Sequence, residues 1–236
     1  TVAVTTALTL TITKNLTWNA GTSQINLSGS VSGISSDGLT FNNVSFTANT
    51  GSNTLAITGA NTFNTLSFAG LTAAAMTSVT FNANQTITTL TLNPGTAAPN
   101  RTFLRSDTIG TQRTLSVGTL TAGAADYDFR DIAITGAAAP LTGTRFGDCK
   151  GNSGITFDAA KTVYWNLAAG GFWYSTAWAT TSGGTPASSN FPLAQDTAVI
   201  PATGLTSGNV INLPAGYNIG TIDMSDRTAN TMTLAT

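Results

Sequence analysis

The sequence predicts an all-β chain: a parallel β-solenoid (β-helix-like) of short strands, with almost no helix and one irregular, Trp-rich excursion. Three observations point there: a repeated five-position apolar template, a composition without exposed-helix vocabulary, and a Thr-rich surface nearly free of charge. The template is clearest in residues 79–92, where Val79, Phe81, Ile87, Leu90 and Leu92 are apolar. The same offsets select Leu55, Ile57, Phe63, Leu66 and Phe68, and again Ile211, Leu213, Ile219, Ile222 and Met224. Its second half recurs alone as Phe41-Val44-Phe46 and Phe129-Ile132-Ile134, and its first half as Ile155, Phe157 and Val163. Within each copy the alternation has the period of two that a strand with one buried face requires. Repeats of this length cannot bury their apolar face alone and must stack. An antiparallel sandwich or jelly roll also has short alternating strands, but it has no need to repeat a five-position template.

The chain has 236 residues, enough for a substantial core in one domain or two. All ten acidic residues are Asp; the nine basic ones are Lys14, Lys150, Lys161 and six Arg, and there is no His. Between Thr1 and Asn100 only Lys14 and Asp37 are charged, while Thr makes up roughly a fifth of the chain. Lack of Glu and scarcity of Lys remove the usual helix surface, and Thr suits a pleated one. Low charge does not imply disorder here, because apolar residues are frequent and regularly spaced.

In chain order, residues 1–18 alternate Leu8, Leu10, Ile12, Leu16 and Trp18 with Thr, which reads as a strand. The ending Lys14-x-x-x-Trp18-Asn19 returns as Lys161-x-x-x-Trp165-Asn166 and marks the close of one run of coils and the start of another. From about 22 to 135 coils follow one another, separated by turns such as Asn49-Thr50-Gly51-Ser52-Asn53 and Asn93-Pro94-Gly95. The stretch 97–115 places Arg101, Arg105, Asp107 and Arg113 around Phe103, Leu104 and Ile109, and is expected to leave the solenoid. The chain thus divides into coils over 1–163, an aromatic, Gly/Ser/Thr/Pro-rich excursion or small lobe over 164–198, and resumed coils over 199–236. Met232-Thr233-Leu234 reads as the opening of another repeat, so a piece of a longer array is expected.

Composition narrows the chemistry. Without His there is no base for a Ser or Cys nucleophile, and zinc sites fail on the same ground. No phosphate loop or dinucleotide fingerprint stands between a strand and a helix, so no cofactor is expected. A net charge of -1 offers neither counterion release to nucleic acid nor a polybasic membrane patch. No apolar run is long enough to span a bilayer, and residues 1–13 lack the marks of a signal peptide. With one cysteine, Cys149, no internal disulfide can form, and a small core or turn residue is the plain reading.

Three features remain to be weighed. Asp126, Asp128 and Asp131 are the densest acidic group, and paired carboxylates can cleave glycosides. Asp126 and Asp128 share strand parity, whereas Asp131 does not, and turn-capping or ion-paired Asp residues are the ordinary alternative. Calcium is the other use for such carboxylates, but the spacing matches no EF-hand loop. Trp173, Tyr174 and Trp178 could stack on a glycan, or form a satellite core where the coil ladder is absent. Rows such as Thr9-x-Thr11-x-Thr13 and Thr86-x-Thr88 would give a flat Thr ladder only if the same outward position held Thr coil after coil, and the loops vary in length. No catalytic residue and no metal ligand is therefore expected.

The segment Tyr164-Trp165-Asn166 through Trp173, Trp178 and Thr180-Thr181-Ser182-Gly183-Gly184 to Phe191-Pro192-Leu193-Ala194-Gln195-Asp196-Thr197-Ala198-Val199-Ile200 resembles an element of very long, repetitive surface proteins. It is similar to sequences of β-solenoid virion and tail-associated proteins of marine bacteriophages, and more loosely to bacterial adhesin arrays. The resemblance covers about residues 150–236. It implies a non-enzymatic structural or adhesive part of a phage particle, extracellular, in contact with copies of itself, with other virion or surface proteins, and with host surface glycan. A homo-oligomer is expected. The other classes kept open are a bacterial cell-surface adhesin and a carbohydrate-cleaving tailspike.

Overall fold

The computed structural model describes residues 1–5, 7–10, 18–36, 38–121, 123–214, 216–228 and 230–236. Of the sequence expectations, Thr11, Ile12, Thr13, Lys14, Leu16 and Asp37 lie outside the described residues.

The first fourteen strands alternate between two faces. They are β1 (Val2–Val4), β2 (Ala7–Leu10), β3 (Gln24–Leu27), β4 (Val31–Ser36), β5 (Thr40–Phe46), β6 (Thr54–Thr58) and β7 (Thr62–Phe68). There follow β8 (Ala75–Phe81), β9 (Gln85–Leu92), β10 (Asn100–Ser106), β11 (Arg113–Leu120), β12 (Tyr127–Arg130), β13 (Ile132–Thr135) and β14 (Gly147–Asp148). Odd-numbered strands form one seven-stranded sheet and even-numbered strands another. Every strand pair in both sheets is parallel, for example β5 with β7 and β8 with β10. Each coil therefore contributes one strand to each sheet, and the fold is a two-sided parallel β-solenoid.

The apolar template is this coil. Val79 and Phe81 lie on β8, Ile87, Leu90 and Leu92 on β9, and residues 82–84 turn the corner between the sheets. The cross-strand partners of these five are Leu55, Ile57, Phe63, Leu66 and Phe68 in that order, so the two copies stack rung on rung. All ten side chains are buried, each contributing about 1.5–3 kcal/mol by removal from water. In-register aromatic rungs stack: Phe41 on Phe63 at 5.5 Å and 17°, Phe46 on Phe68 at 5.3 Å and 13°. Close coil approach also fixes Gly59, at φ +86°, where a Cβ would stand 1.7 Å from the Ser36 carbonyl oxygen.

Several partial repeats resolve differently. Phe129-Ile132-Ile134 splits between sheets, Phe129 on β12 and the two Ile on β13, with Asp131 at φ +55° in the tight corner. Ile155 bridges Leu141 above the last coil, while Val163 belongs to a separate stack, so this half-template makes no coil. The charged stretch 97–115 supplies β10 and β11 instead of leaving the solenoid, because its apolar residues, such as Leu104 partnered with Val79, keep the register.

A second, smaller stack follows, built from β15 (Thr162–Trp165), β16 (Gly171–Phe172), β17 (Trp178–Ala179), β18 (Thr197–Val199), β19 (Val210–Asn212), β20 (Thr221–Asp223) and β21 (Thr233–Ala235). Its sheets run β17-β15-β18-β20 and β16-β19-β21. The Trp-rich segment thus contributes strands, and β17 pairs antiparallel with β15, covering its edge. The third template copy lies here: Ile211 pairs with Leu234, so it shares no ladder with Leu55 and Val79. The stacks touch where Gln195 Oε1 accepts from the Asp148 N–H at 2.9 Å and Gln195 Nε2 donates to the Phe146 carbonyl at 3.1 Å.

Candidate functional site

The acidic group sits at the end of the large stack. Asp128 is on β12 and Asp126 precedes it at φ +68°, both with side chains fully buried. Both carboxylates face one guanidinium, that of Arg101, itself 1% exposed on β10. Arg101 Nε donates to Asp128 Oδ1 at 3.0 Å and its Nη2 bonds the same oxygen, while Nη1 stands 3.9 Å from Asp126 Oδ1. Arg145 clamps Asp126 from the surface, Nε to Oδ1 at 2.5 Å and Nη2 to Oδ2 at 2.8 Å. Asn218, from the small stack, donates to Asp128 Oδ2 at 2.9 Å. Burial raises the Asp126 pKa against the pull of Arg145 and Arg101, and the bonded carboxylate raises that of Arg145. Asp131 lies apart: Oδ2 accepts from the Gly110 N–H at 3.0 Å and stands 3.5 Å from Arg130 Nε.

Both carboxylates are fully buried and bonded to Arg101, Arg145 or Asn218, so neither presents an oxygen to solvent for acid–base work. The arrangement is that of a buried ion network whose members satisfy one another. Sequence reasoning paired Asp126 with Asp128 but missed Arg101 as their shared partner. The available signal was an Arg inside an otherwise core-forming strand, Asn100-Arg101-Thr102-Phe103-Leu104. Cys149 is half-buried, and burial pushes its thiol far up, away from nucleophilic use.

Of the three aromatic candidates, Trp173 and Trp178 are each 1% exposed. Their rings meet edge to face at 4.7 Å, Trp165 packs on Trp178 at 5.2 Å, and Trp178 Nε1 donates to the Trp173 carbonyl at 2.9 Å. Their faces are filled by one another, which removes them as a sugar platform and makes them the core of the small stack. Tyr174 is half-buried and lies parallel to Phe172 at 4.9 Å, so the aromatic pair that reaches the surface is Phe172–Tyr174. A cleft of about 480 Å³ opens between Trp173, Leu213, Tyr217, Ile219 and Ile222.

The outer face of the odd-numbered sheet carries a pattern that loop lengths concealed. Gln24, Asn43, Thr65, Thr89 and Thr119 are successive cross-strand partners. Two residues along, Asn26, Ser45, Ser67 and Thr91 are likewise partners, and Thr121 continues the row with its Oγ1 3.0 Å from that of Thr91. Thr does not hold either position coil after coil, as a Thr ladder would require, but the columns stay in register: length differences are absorbed at the corners, while backbone pairing sets the register. The signal lay in the second half-template, whose interior positions are Asn, Ser or Thr in the copies beginning at Phe41, Phe63 and Ile87.

Among the described residues, no group of three or more His, Cys, Asp or Glu side chains is arranged to hold a metal ion, and no helix is long and apolar enough to cross a membrane. Compared with known proteins, the chain matches no family model, no curated protein and no solved structure.

Proposed function

We propose that this chain is a rigid structural and adhesive element of a phage particle, of the tail-fibre, spike or decoration kind, acting as a multivalent scaffold rather than a catalyst. The observation that carries the reading is the two-column ladder on the odd-numbered sheet: five rungs of neutral hydrogen-bonding side chains with no charge among them. At about 4.8 Å per rung and about 6.7 Å between columns, it is a regular lattice roughly 19 Å long. Each rung offers one weak contact, and a stiff backbone presents all of them together. Affinity then comes from effective concentration and not from any single pocket. An uncharged face suits lateral contact with copies of the chain or with a neutral surface, since neither brings a desolvation cost for ions.

Placement on a particle rests on the resemblance read from the sequence of residues 150–236 alone. It is tested by immunogold labelling and quantitative mass spectrometry of purified particles beside washed host cells. Many copies per particle is the expected result. Recovery with the cells and not the particles would replace the virion reading with that of a cell-surface adhesin.

A further inference from the structure

The even-numbered sheet breaks the neutral style at one place. Arg105 on β10 and Arg130 on β12 are direct cross-strand partners, an arrangement in which like charges repel. Both guanidiniums lie over the Phe103 ring, their Cζ atoms 6.0 and 5.5 Å from its centroid. Neither is well neutralised. Arg105 Nε donates to the hydroxyl of Ser78 at 2.8 Å, and burial together with Arg130 holds its pKa below the ordinary value. Arg130 Nε is buried without a hydrogen-bond partner and stands 3.5 Å from Asp131, a carboxylate already accepting from Gly110. Where the small stack packs against the large one, a cleft of about 390 Å³ opens on Phe103, Arg130, Asp148, Lys150, Asn218 and Ile219. The Lys150 side chain is 79% exposed and reaches only Asp148, at 3.3 Å.

We propose that this cleft binds a small ligand bearing an oxyanion, of the acidic-sugar class. A carboxylate seated between Arg130 and Lys150 would offset the cross-strand repulsion and accept charge-assisted hydrogen bonds from the part-exposed guanidinium and the exposed ammonium, whose present bonds, to the Ser106 carbonyl at 3.4 Å and to Asp148 at 3.3 Å, are long. The apolar edge of a pyranose would rest on Phe103 and Ile219, with the Asn218 side-chain carbonyl and Asp148 Oδ2 in the lining as acceptors for its hydroxyls. The volume suits a mono- or disaccharide better than a bare ion. The site goes beyond the scaffold reading and does not depend on it, since it would serve on a particle or a cell alike.

The test is isothermal titration of the full chain with D-glucuronate, with D-glucose and inorganic phosphate titrated separately. Saturable heat with glucuronate and none with glucose is expected. Arg130→Gln and Lys150→Gln should each weaken binding about tenfold, as loss of a charge-assisted contact does. Because Lys150 is exposed, its variant keeps the fold and guards against misreading an unfolded protein. Arg105→Gln should melt no lower than the parent, since it removes a repulsion. No heat with glucuronate, equal heat with glucose, phosphate binding without glucuronate binding, or glucuronate binding untouched by Arg130→Gln and Lys150→Gln would each overturn the proposal.

Discussion

Replacing Arg101 with Met is the most informative single change, because it separates a structural ion network from a reactive carboxylate pair. The guanidinium gives five hydrogen bonds: two to Asp128 Oδ1, and one each to the carbonyls of Ala98 at 3.3 Å, Tyr127 at 3.3 Å and Arg145 at 2.9 Å. Methionine keeps most of the stem volume but leaves Asp128, which is 0% exposed, with Asn218 as its remaining side-chain donor. Stranding a buried charge by removing its partner costs about 3–5 kcal/mol. For a chain of this size, about 2–4 °C per kcal/mol turns that into a melting temperature lower by roughly 6–20 °C. Arg145→Met should cost less, since that guanidinium is 36% exposed and Arg101 still faces Asp126. The double variant Arg101→Met with Asp128→Leu should recover most of the loss, because neither charge is then stranded. Thermal melts by circular dichroism read all three. If Arg101→Met melts within about 2 °C of the parent, the network does not hold the stack together, and the carboxylates return as candidates for chemistry.

Two further changes probe the coil itself. Gly51→Ala and Gly59→Ala both force alanine into a left-handed backbone, at φ +72° and +86°, a strain of about 1–2 kcal/mol. Gly51 faces open space whereas Gly59 meets the Ser36 carbonyl, so Gly59→Ala should cost about 1–3 kcal/mol more by overpacking; equal urea midpoints would refute the close approach. Acid should weaken the fold through Asp148 and Asp107. Burial alone would raise Asp148, but hydrogen bonds from Asn152 and Lys150 outweigh it and leave its pKa lowered, while Arg113 lowers Asp107. A depressed carboxyl stabilises the fold above its unfolded value and loses that contribution as pH falls below about 4. Asp126, raised by burial, works in the opposite sense. Melting temperature should therefore drop between about pH 4 and pH 2, and Asp148→Asn should flatten the drop; an unchanged slope would count against this assignment.

The coil was legible because its determinants are local and periodic. Val79, Phe81, Ile87, Leu90 and Leu92 state the geometry of one turn, and their partners at Leu55 to Phe68 state that turns stack. The third copy misled because the same offsets serve any coil: Ile211 obeys the template in a stack of its own, and no spacing says which coil a given coil rests on. Charge carried a message that spacing did not. Between Thr1 and Asn100 almost nothing is charged, because each coil's backbone is satisfied by the next and needs no ions. Ions appear where the large stack stops. Among the described residues, the four non-glycine residues at positive φ, namely Asp126, Asp131, Arg145 and Lys150, fall there. Their side chains and bent backbone join the last coils to one another: Asp131 N–H to the Lys150 carbonyl at 3.1 Å, Cys149 N–H to the Phe129 carbonyl at 2.9 Å, and Arg101 to the Arg145 carbonyl. A terminal coil must either cap its open edge or pair with something else, and here the Gln195 amide of the small stack accepts from the Asp148 N–H and donates to the Phe146 carbonyl while ion pairs tie the last coils together. The rise in charge after residue 100, read as an excursion from the solenoid, is the signature of its end.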